Sequence, residues 1–181
     1  MEIKTKDFIL RPIKLTDTQR YFEMMQDPFT KRGFMCVPKN VEEAREEIKK
    51  EIIDFKSKEK FNKLFVIDIN RKFCGYVVLQ TQSFKPEDHR GRLHIALHPD
   101  CRGTGIIQKA VKTIVKYGFE KYKWAKIYGQ CRSFNKGAIG VLKKSGFVLE
   151  GTLKKDAIKE GKYVNNLLWA IMNPKIGDNV K

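Results

Sequence analysis

The stretch HPDCRGTGII, residues 98–107, lies between two segments with different periodicity. Before it, RLHIALH (92–98) is short and rich in apolar residues, which is typical of a β-strand. After it, apolar residues recur with the 3.6-residue period of an amphipathic helix, at Ile107, Ala110, Val111, Ile114, Val115 and Phe119. A strand, a turn with two glycines and a long helix therefore follow one another, and this order decides which folds are open to the chain.

One interpretation of the stretch is a metal site made by His94, His98 and Cys101. A strand rises about 3.3 Å per residue, so the two histidines would lie about 13 Å apart. Ligands of one zinc ion bind it at about 2 Å, which such a separation does not allow. Pro99 also prevents a helix from running through the pair. The sequence therefore predicts no metal site.

Two other interpretations concern Gly103 and Gly105. The glycines could serve only a tight turn between strand and helix. A helix N-terminus, however, also offers unpaired N–H groups and the positive end of a dipole, and glycines let phosphate oxygens come close. The spacing fits neither a Walker A loop nor a dinucleotide-binding fingerprint. The pattern favours a pyrophosphate-binding turn, with the simple turn as the alternative.

The rest of the chain predicts strands and helices that alternate in the order β-α-α-β-β-β-α-β-α-β-β, which is an α/β (α+β) class with one mixed sheet. We predict one domain over 1–172 and a C-terminal tail over 173–181. The predicted strands are 2–13, 63–69, 73–81, 92–98, 125–131, 146–158 and 162–172, and the predicted helices begin near Thr16, Asn40, Ile107 and Asn135.

Composition limits the classes of function. The chain has 181 residues, 41% of them hydrophobic, and no apolar run of about 18 residues that could cross a membrane. It lacks a secretory signal, and its four cysteines are widely spaced, so we expect reduced thiols and a cytoplasmic protein. The net charge of +16 indicates an anionic partner or a solvated lysine-rich surface. Because the basic residues are dispersed, direct binding of nucleic acid is not predicted.

The segment from Arg102 to Ile107 resembles motif A of the GNAT N-acetyltransferase superfamily, in which Arg/Gln-x-x-Gly-x-Gly/Ala holds the pyrophosphate of acetyl-CoA. Further matches follow in order at Asn135-x-x-Ala138, Gly146-Phe147, Glu150-Gly151 and Gly161-Lys-Tyr163. The resemblance covers 3–172 and is greatest to the RimJ/RimL-like group, which includes ribosomal-protein and spermidine N-acetyltransferases. It implies a single GNAT-type domain, with a mixed, mostly antiparallel sheet of about seven strands and about four helices.

The resemblance also implies a site. Acetyl-CoA would be a co-substrate, held between the strands at 92–98 and 125–131, and no metal would take part. The backbone N–H of Leu97 would polarise the thioester carbonyl. From the residues themselves, His94 is the candidate general base, because an ordinary histidine pKa of about 6.5 suits accepting a proton near neutrality. The alternative is a half-buried strand histidine with no chemical role. The residues expected to contact the cofactor are Ala96, Leu97, Arg102, Gly103, Thr104, Gly105, Ile106, Ile107 and Asn135.

The chain departs from the family pattern at several positions. Ile107 stands where the family has Gly or Ala, and Ala138 and Leu142 stand where relatives carry a Ser or Tyr that protonates the leaving thiolate. Arg92 and Asn165 replace acidic residues of polyamine-acetylating relatives. We therefore expect a primary amine other than spermidine as acceptor.

That amine would be a protein N-terminus, including an acidic or ribosomal one, or a small anionic amine. The protein would be a monomer or a homodimer. Two alternatives remain: a catalytically silent GNAT-fold module that binds CoA or a partner, and a basic protein associated with ribosomes or nucleic acid.

Overall fold

The computed structural model describes residues 1–57, 62–81 and 89–177, which form one eight-stranded sheet in the order β1-β2-β3-β4-β5-β6-β8-β7. Only the β5–β6 pair is parallel within this sheet. The strands are β1 Ile3–Lys4, β2 Ile9–Pro12, β3 Asn62–Ile69, β4 Lys72–Gln80, β5 Arg90–Leu97, β6 Lys126–Arg132, β7 Val148–Lys159 and β8 Lys162–Met172. The described α-helices are α1 Thr18–Gln26, α2 Pro28–Gly33, α3 Val41–Lys56, α4 Ile106–Tyr122 and α5 Lys136–Lys144. The predicted single α+β domain with a mixed, mostly antiparallel sheet is confirmed, with one strand and one helix more than expected.

The helix α2 is the additional helix. The side chain of Asp27 accepts a hydrogen bond from the backbone N–H of Thr30 at 2.9 Å, and Pro28 occupies the first helical position. Both features start helices, because the side-chain oxygen satisfies an unpaired N–H and proline has none to satisfy. The Asp27-Pro28 pair thus ends α1 and also begins α2, a helix that is absent from the predicted order.

The additional strand arises at the N-terminus, where one strand over 2–13 was predicted. The backbone N–H of Thr5 donates to the carbonyl of Phe8 at 3.0 Å, and this turn divides the segment into β1 and β2. The predicted start of the next long helix is confirmed, because Asn40 Oδ1 accepts from the N–H of Glu43 at 2.8 Å. Asn173, the first residue of the predicted tail, donates to the carbonyl of Trp124 at 3.0 Å. Residues 178–181 lie outside the described part of the chain.

Helices cover both faces of the sheet. Phe65 and Ile67 of β3 belong to a core that includes α4 and α5, whereas Leu64 and Val66 belong to a second core with α1 and α3. Because alternate residues of a strand face opposite sides, strands buried on both sides are apolar at consecutive positions. Polar residues on the central strands are therefore exceptions that need an explanation. No helix in the described ranges is long and apolar enough to cross a membrane.

Gly75 fixes the position of the end of β5. Its φ of +148° is unfavourable for residues with a side chain, and a Cβ there would lie 2.3 Å from the carbonyl oxygen of Ala96. The same atom would lie 2.9 Å from the Cα of Leu97. The absence of a side chain lets β4 approach the last residues of β5 closely, and this contact sets where Leu97 presents its backbone.

Candidate active site

A gap opens in the middle of the sheet between β5 and β6. Their parallel pairing ends at Leu93 and Gly129, although β5 continues to Leu97 and β6 to Arg132. Beyond Gly129, β6 stays paired with β8 as far as Arg132 and Asn166. The two strands therefore diverge, and the backbone of β5 on that side has no neighbouring strand.

The amide of Leu97 points into this gap. The N–H of His98 donates to the carbonyl of Cys74 at 2.8 Å, and β4 and β5 pair without a register shift up to Gly75 and Leu97. In an antiparallel ladder, successive residues direct their backbone groups to opposite sides. The N–H of Leu97 thus faces away from β4, toward the space that β6 leaves open.

The turn at Gly103 and Gly105 leaves the start of α4 open. Both glycines have positive φ, 78° and 75°, which residues with a side chain rarely adopt. A Cβ at Gly103 would meet nothing within 4 Å, and one at Gly105 would come no closer than 3.6 Å to Gln108 Oε1. Gly105 is the N-cap of the helix and has no side chain to satisfy the first amides. The N-terminus of α4 is therefore an open site for an anion.

A large cavity of about 820 Å³ connects this turn with the end of β5. Its lining comes from β5, the glycine turn, α4, α5 and α2. Lys112 and Lys144 lie on it and contribute positive charge. The other lining residues are Phe29, Thr30, Gly33, Phe34, Ile95, Ala96, Leu97, Arg102, Gly103, Gly105, Ile107, Gln108, Asn135, Gly137, Ala138 and Val141. The shape and charge of this cavity suit an elongated ligand with phosphate groups.

The side chain of Arg102 binds α2 to the glycine turn. Its Nη2 donates to Asp27 Oδ2 at 2.5 Å and to Thr30 Oγ1 at 3.1 Å, and its guanidinium lies 5.1 Å from the ring centre of Phe29. Burial raises the pKa of Asp27, but hydrogen bonds from Arg102 and from the backbone of Thr30 outweigh burial and hold that pKa below its usual range. Arg102 therefore holds one wall of the large cavity in place.

Ile107 and Asn135 line the same cavity in different ways. Ile107 is 8% exposed and packs in the core with α4 and α5, so most of its β-branched side chain is directed away from the open turn. Asn135 Oδ1 accepts from the N–H of Ala138 at 2.9 Å and caps α5. Its side-chain NH₂ donates to no residue within the described ranges. The predicted start of a helix near Asn135 is confirmed.

A small cavity of about 390 Å³ continues from the large one through the gap and shares Gly33, Phe34, Ile95, Asn135 and Ala138 with it. It is lined by polar side chains of β5, β6 and β8 that lie on one face of the sheet: Arg92, His94, Gln130, Arg132 and Asn166. Met35, Cys36, Leu93, Gly129, Cys131 and Leu142 complete the lining. Two cavities thus meet at the gap, one beside the helix N-terminus and one with a polar wall.

His94 is uncharged in this setting. Its Nε2 is buried and has no hydrogen-bond partner among the described residues. Burial, and then the positive charge of Arg92, lower the pKa of His94 to about 4. At neutral pH the imidazole is therefore neutral, and one of its nitrogens can accept a hydrogen bond.

The histidines do not come together as metal ligands. The side chain of His98 is buried at the end of β5, where its Nδ1 accepts from the N–H of Asp100 at 3.3 Å. Cys101 is buried in the core with α4. Over residues 1–57, 62–81 and 89–177, no three His, Cys, Asp or Glu side chains are placed to hold a metal ion.

A sequence model of the Acetyltransferase (GNAT) domain matches residues 7–148. The chain belongs to the GNAT family. It is 35% identical over 72 residues to the probable N-acetyltransferase YjcK of Bacillus subtilis (strain 168), and this match covers 40% of this chain and 40% of that protein. It is 28% identical over 107 residues to the spermidine N(1)-acetyltransferase of Escherichia coli (strain K12), 59% of this chain and 56% of that one. The matches thus span about half or less of these two relatives.

Solved structures share the GNAT fold over almost the whole chain. RimL, the ribosomal L7/L12 alpha-N-protein acetyltransferase in complex with coenzyme A, superposes with a TM-score of 0.83 at 16% identity. The superposition covers 95% of this chain and 98% of that one. The resemblance to the GNAT superfamily that the motifs indicate is confirmed, and members of the RimJ/RimL-like group share the fold.

The GNAT fold brings most of the predicted cofactor residues to one place. Those on the large cavity are Ala96, Leu97, Arg102, Gly103, Gly105, Ile107 and Asn135. Thr104 and Ile106 are not part of its lining: the hydroxyl of Thr104 donates to the carbonyl of Cys101 at 2.8 Å, and Ile106 is buried in the core. The candidate base His94 lies in the small cavity instead.

Two parts of the site were missed from the GNAT sequence alone. The first is α2, which supplies Phe29 and is followed directly by Phe34; its start was signalled by the cap and the proline. The second is the polar wall of the small cavity, above all Arg132 and Asn166. The sequence signal for this wall is a pair of polar residues two apart on each of two otherwise apolar strands: Arg92 with His94, and Gln130 with Arg132. The two pairs come close together only because of the strand order, which the sequence does not show directly.

Proposed function

We propose that this GNAT domain is an acetyl-CoA-dependent N-acetyltransferase that moves the acetyl group to a primary amine. The gap between β5 and β6 is the observation that carries the proposal. It joins an open helix N-terminus to a second cavity with polar side chains. One elongated ligand can therefore lie in the large cavity with its reactive end beside the small cavity, where an acceptor enters.

The residues of the large cavity fit coenzyme A. Gly103 and Gly105 leave open space over the first amides of α4, which would hold the pyrophosphate oxygens. Lys112 and Lys144 would balance the phosphate charge. The side-chain NH₂ of Asn135, which is free of described partners, would contact the extended arm.

The backbone of β5 supplies the polarising group. Bound acetyl-CoA would supply an acetyl thioester: a neutral amine would form the new N–C bond while the C–S bond breaks, and CoA would leave as a thiolate that water protonates, without a covalent enzyme intermediate. The N–H of Leu97 faces the gap and would donate to an oxygen that gains negative charge there. Because the β4 ladder and Gly75 fix the end of β5, this donor is already oriented before the reaction.

His94 would act on the amine. Its side chain lines the small cavity, and its imidazole is neutral because its pKa is about 4. A neutral imidazole accepts a hydrogen bond from a neutral amine and so selects the nucleophilic form. Because its pKa is low, His94 is a weak base at neutral pH and does not retain the proton. We therefore assign it to orient the amine and to pass the proton on to water.

One observation favours a second candidate function. Ala138 and Leu142 occupy the part of α5 that faces the cavities, and neither side chain can donate a proton. The second candidate is therefore a silent GNAT domain that binds acetyl-CoA but transfers nothing.

The acceptor we propose is a protein N-terminus or a small amine, since relatives with this fold include an enzyme for ribosomal L7/L12 and one for spermidine. The protein would act as a monomer or a homodimer. We place the reaction in the cytoplasm, in keeping with four cysteines that are free thiols.

Binding of acetyl-CoA is tested first, by its effect on unfolding. A ligand at 100 times its dissociation constant raises the free energy of unfolding by about 2.7 kcal/mol. We expect Gly105→Ala to abolish this gain. Gly161→Ala is the matched control, because Gly161 has a similar φ of +73° and equally open surroundings in the distant β7–β8 turn. No stabilisation of the wild type by millimolar acetyl-CoA would reject the cofactor.

Transfer is tested by release of the CoA thiol with a panel of amines and N-terminal peptides. We expect thiol release that depends on the amine, and a lower kcat for His94→Gln with unchanged acetyl-CoA binding. Binding without release for every amine would establish the silent module instead.

A further inference from the structure

The small cavity contains positive charge without matching negative charge. Arg92 and Arg132 both line it, and neither makes an ion pair within 4 Å with any residue of the described ranges. No Asp or Glu belongs to its described lining. A charge that is removed from water costs free energy unless it is paired, so the buried guanidinium of Arg132 calls for a partner, and the half-buried Arg92 adds a second positive charge to the same cavity.

Arg132 is the more deeply buried of the two, with 8% of its surface exposed. Its Nη1 donates to Asn166 Oδ1 at 2.8 Å and its Nη2 contacts Met35 Sδ at 2.9 Å, and both of these acceptors are uncharged. Its Nε is buried and has no hydrogen-bond partner in the part of the chain that the structure describes. The guanidinium is thus held in place, but its charge is not neutralised.

Asn166 links Arg132 to the carboxylate of Asp156 and stands between them. The side-chain NH₂ of Asn166 donates to Asp156 Oδ2 at 2.5 Å, while its carbonyl oxygen accepts from Arg132. An amide therefore stands where an aspartate would form an ion pair. Arg92 is similar, since it makes a 3.4 Å contact with Gln130 Oε1 and its Nε is buried and unpartnered.

We propose that Arg132 and Arg92 bind an anionic group, foremost a carboxylate, that the acceptor carries close to its reactive amine. This inference rests on the proposed function, because it concerns the acceptor of that reaction. The two arginines lie on the same sheet face as His94, in the cavity that meets the cofactor cavity at the gap. A planar guanidinium fits a carboxylate in two parallel hydrogen bonds, which gives both affinity and orientation.

The specificity that follows is for acidic amines over polyamines. A polyamine would place its second positive charge beside Arg92 and Arg132, in a cavity that no described carboxylate lines. We therefore expect spermidine to be a poor acceptor for this chain, unlike the relative that is named for it.

The experiment compares amidated peptides that differ only at the second residue, which is Asp, Asn or Lys. For the wild type we expect kcat/KM to be at least about 10-fold higher with Asp than with Asn, as for one charge-assisted hydrogen bond, and lowest with Lys. A pair of small molecules, 4-aminobutyrate and its amide, shows whether the carboxylate acts in a free amine as well as in a peptide.

Three variants locate the preference. Arg92→Gln should reduce the Asp-to-Asn ratio toward 1, mainly through KM. The double variant Asp156→Asn/Asn166→Asp keeps the net charge, places a carboxylate against Arg132 and should also remove the preference. Arg90→Gln is the control and should keep the ratio, because Arg90 is exposed on the same strand and lies outside the cavity.

A binding measurement separates the two proposals. The Asp peptide should bind the wild type more tightly than the Asn peptide in calorimetric titration, with or without activity, and Arg92→Gln should remove the difference. Equal binding and equal kcat/KM for the three peptides would overturn the anion site while acetyl transfer stands. Preferential binding of the Asp peptide without transfer would refute the proposed function and support the site.

Discussion

Arg11 and Arg132 are buried to the same degree, 7% and 8% exposed, but their surroundings are opposite. Arg11 donates to Asp17 at 2.8 Å through each of its terminal nitrogens and to Asp68 at 2.6 Å through Nε. These hydrogen bonds, opposed by burial, raise its pKa above the usual range. Arg132 has an amide and a thioether as partners and a free Nε.

The two arginines therefore differ in role: Arg11 stabilises the fold, whereas Arg132 is placed to bind a ligand. The Arg11 cluster is complete within the chain: two carboxylates pair with one guanidinium and join β2, β3 and the turn before α1. The Arg132 cluster is incomplete, because the hydrogen bonds that orient it leave its charge in excess. Burial alone does not distinguish these cases, whereas the charge of the partners does.

The largest expected effect is on stability. Arg11→Met should lower the free energy of unfolding by about 3–5 kcal/mol, because it leaves Asp17 and Asp68 buried without their counter-ion. Arg132→Met should stay within about 1 kcal/mol of the wild type, since the lost hydrogen bond to Asn166 is offset by removal of an unpaired charge. Urea denaturation measures both. Equal losses for the two variants would show that Arg132 is also structural.

The sequence predicted much of the fold and most of the residues that line one side of the large cavity, but not the Arg132 cluster. The glycine turn from Arg102 to Gly105 is one contiguous segment, and its proposed contacts with the ligand are made by backbone amides. A local sequence pattern is therefore enough to identify it. The small cavity instead combines side chains from β5, β6 and β8, and β8 lies beside β6 only because the chain forms the β7–β8 hairpin at that edge. The sequence shows the polar residues two apart. It does not show which side chains they contact, and therefore it does not show that the arginines lack a carboxylate partner.

A second, smaller effect concerns pH and His94. Its folded pKa of about 4 lies below the ordinary value of 6.5, so between pH 6.5 and 4 the unfolded chain takes up a proton that the folded chain does not. This group's contribution to stability is therefore complete above pH 6.5 and is lost as pH falls through that window. We expect a loss of about 1–3 kcal/mol that is absent in His94→Gln.

The His94 measurement needs the difference between wild type and variant, because Glu51 acts in the opposite direction. Burial raises the pKa of Glu51 to about 7, so its contribution grows as pH falls from 7 to 4.5. Denaturation at several pH values for both proteins cancels Glu51, which is common to them. Parallel pH profiles for the two proteins would mean that His94 titrates normally and that the small cavity is better solvated than its unpartnered nitrogen indicates.

Arg102 lies between the two extremes and gives the smallest effect. It is partly exposed and pairs with one carboxylate, Asp27, at the rim of the large cavity. Asp27→Asn keeps an oxygen to cap α2 but removes the ion pair, so we expect a loss of about 0.5–1 kcal/mol at pH 7. Because the pKa of Asp27 is lowered in the folded chain, this contribution is present above the ordinary aspartate pKa and disappears as pH falls below it. The difference in the free energy of unfolding between wild type and variant should therefore vanish in acid.

Asp7→Asn is the control: it breaks an exposed pair with Lys109 and should change nothing measurable. If Asp27→Asn also behaves like this control, the fixed wall of the cavity comes from the packing of α2 rather than from Arg102.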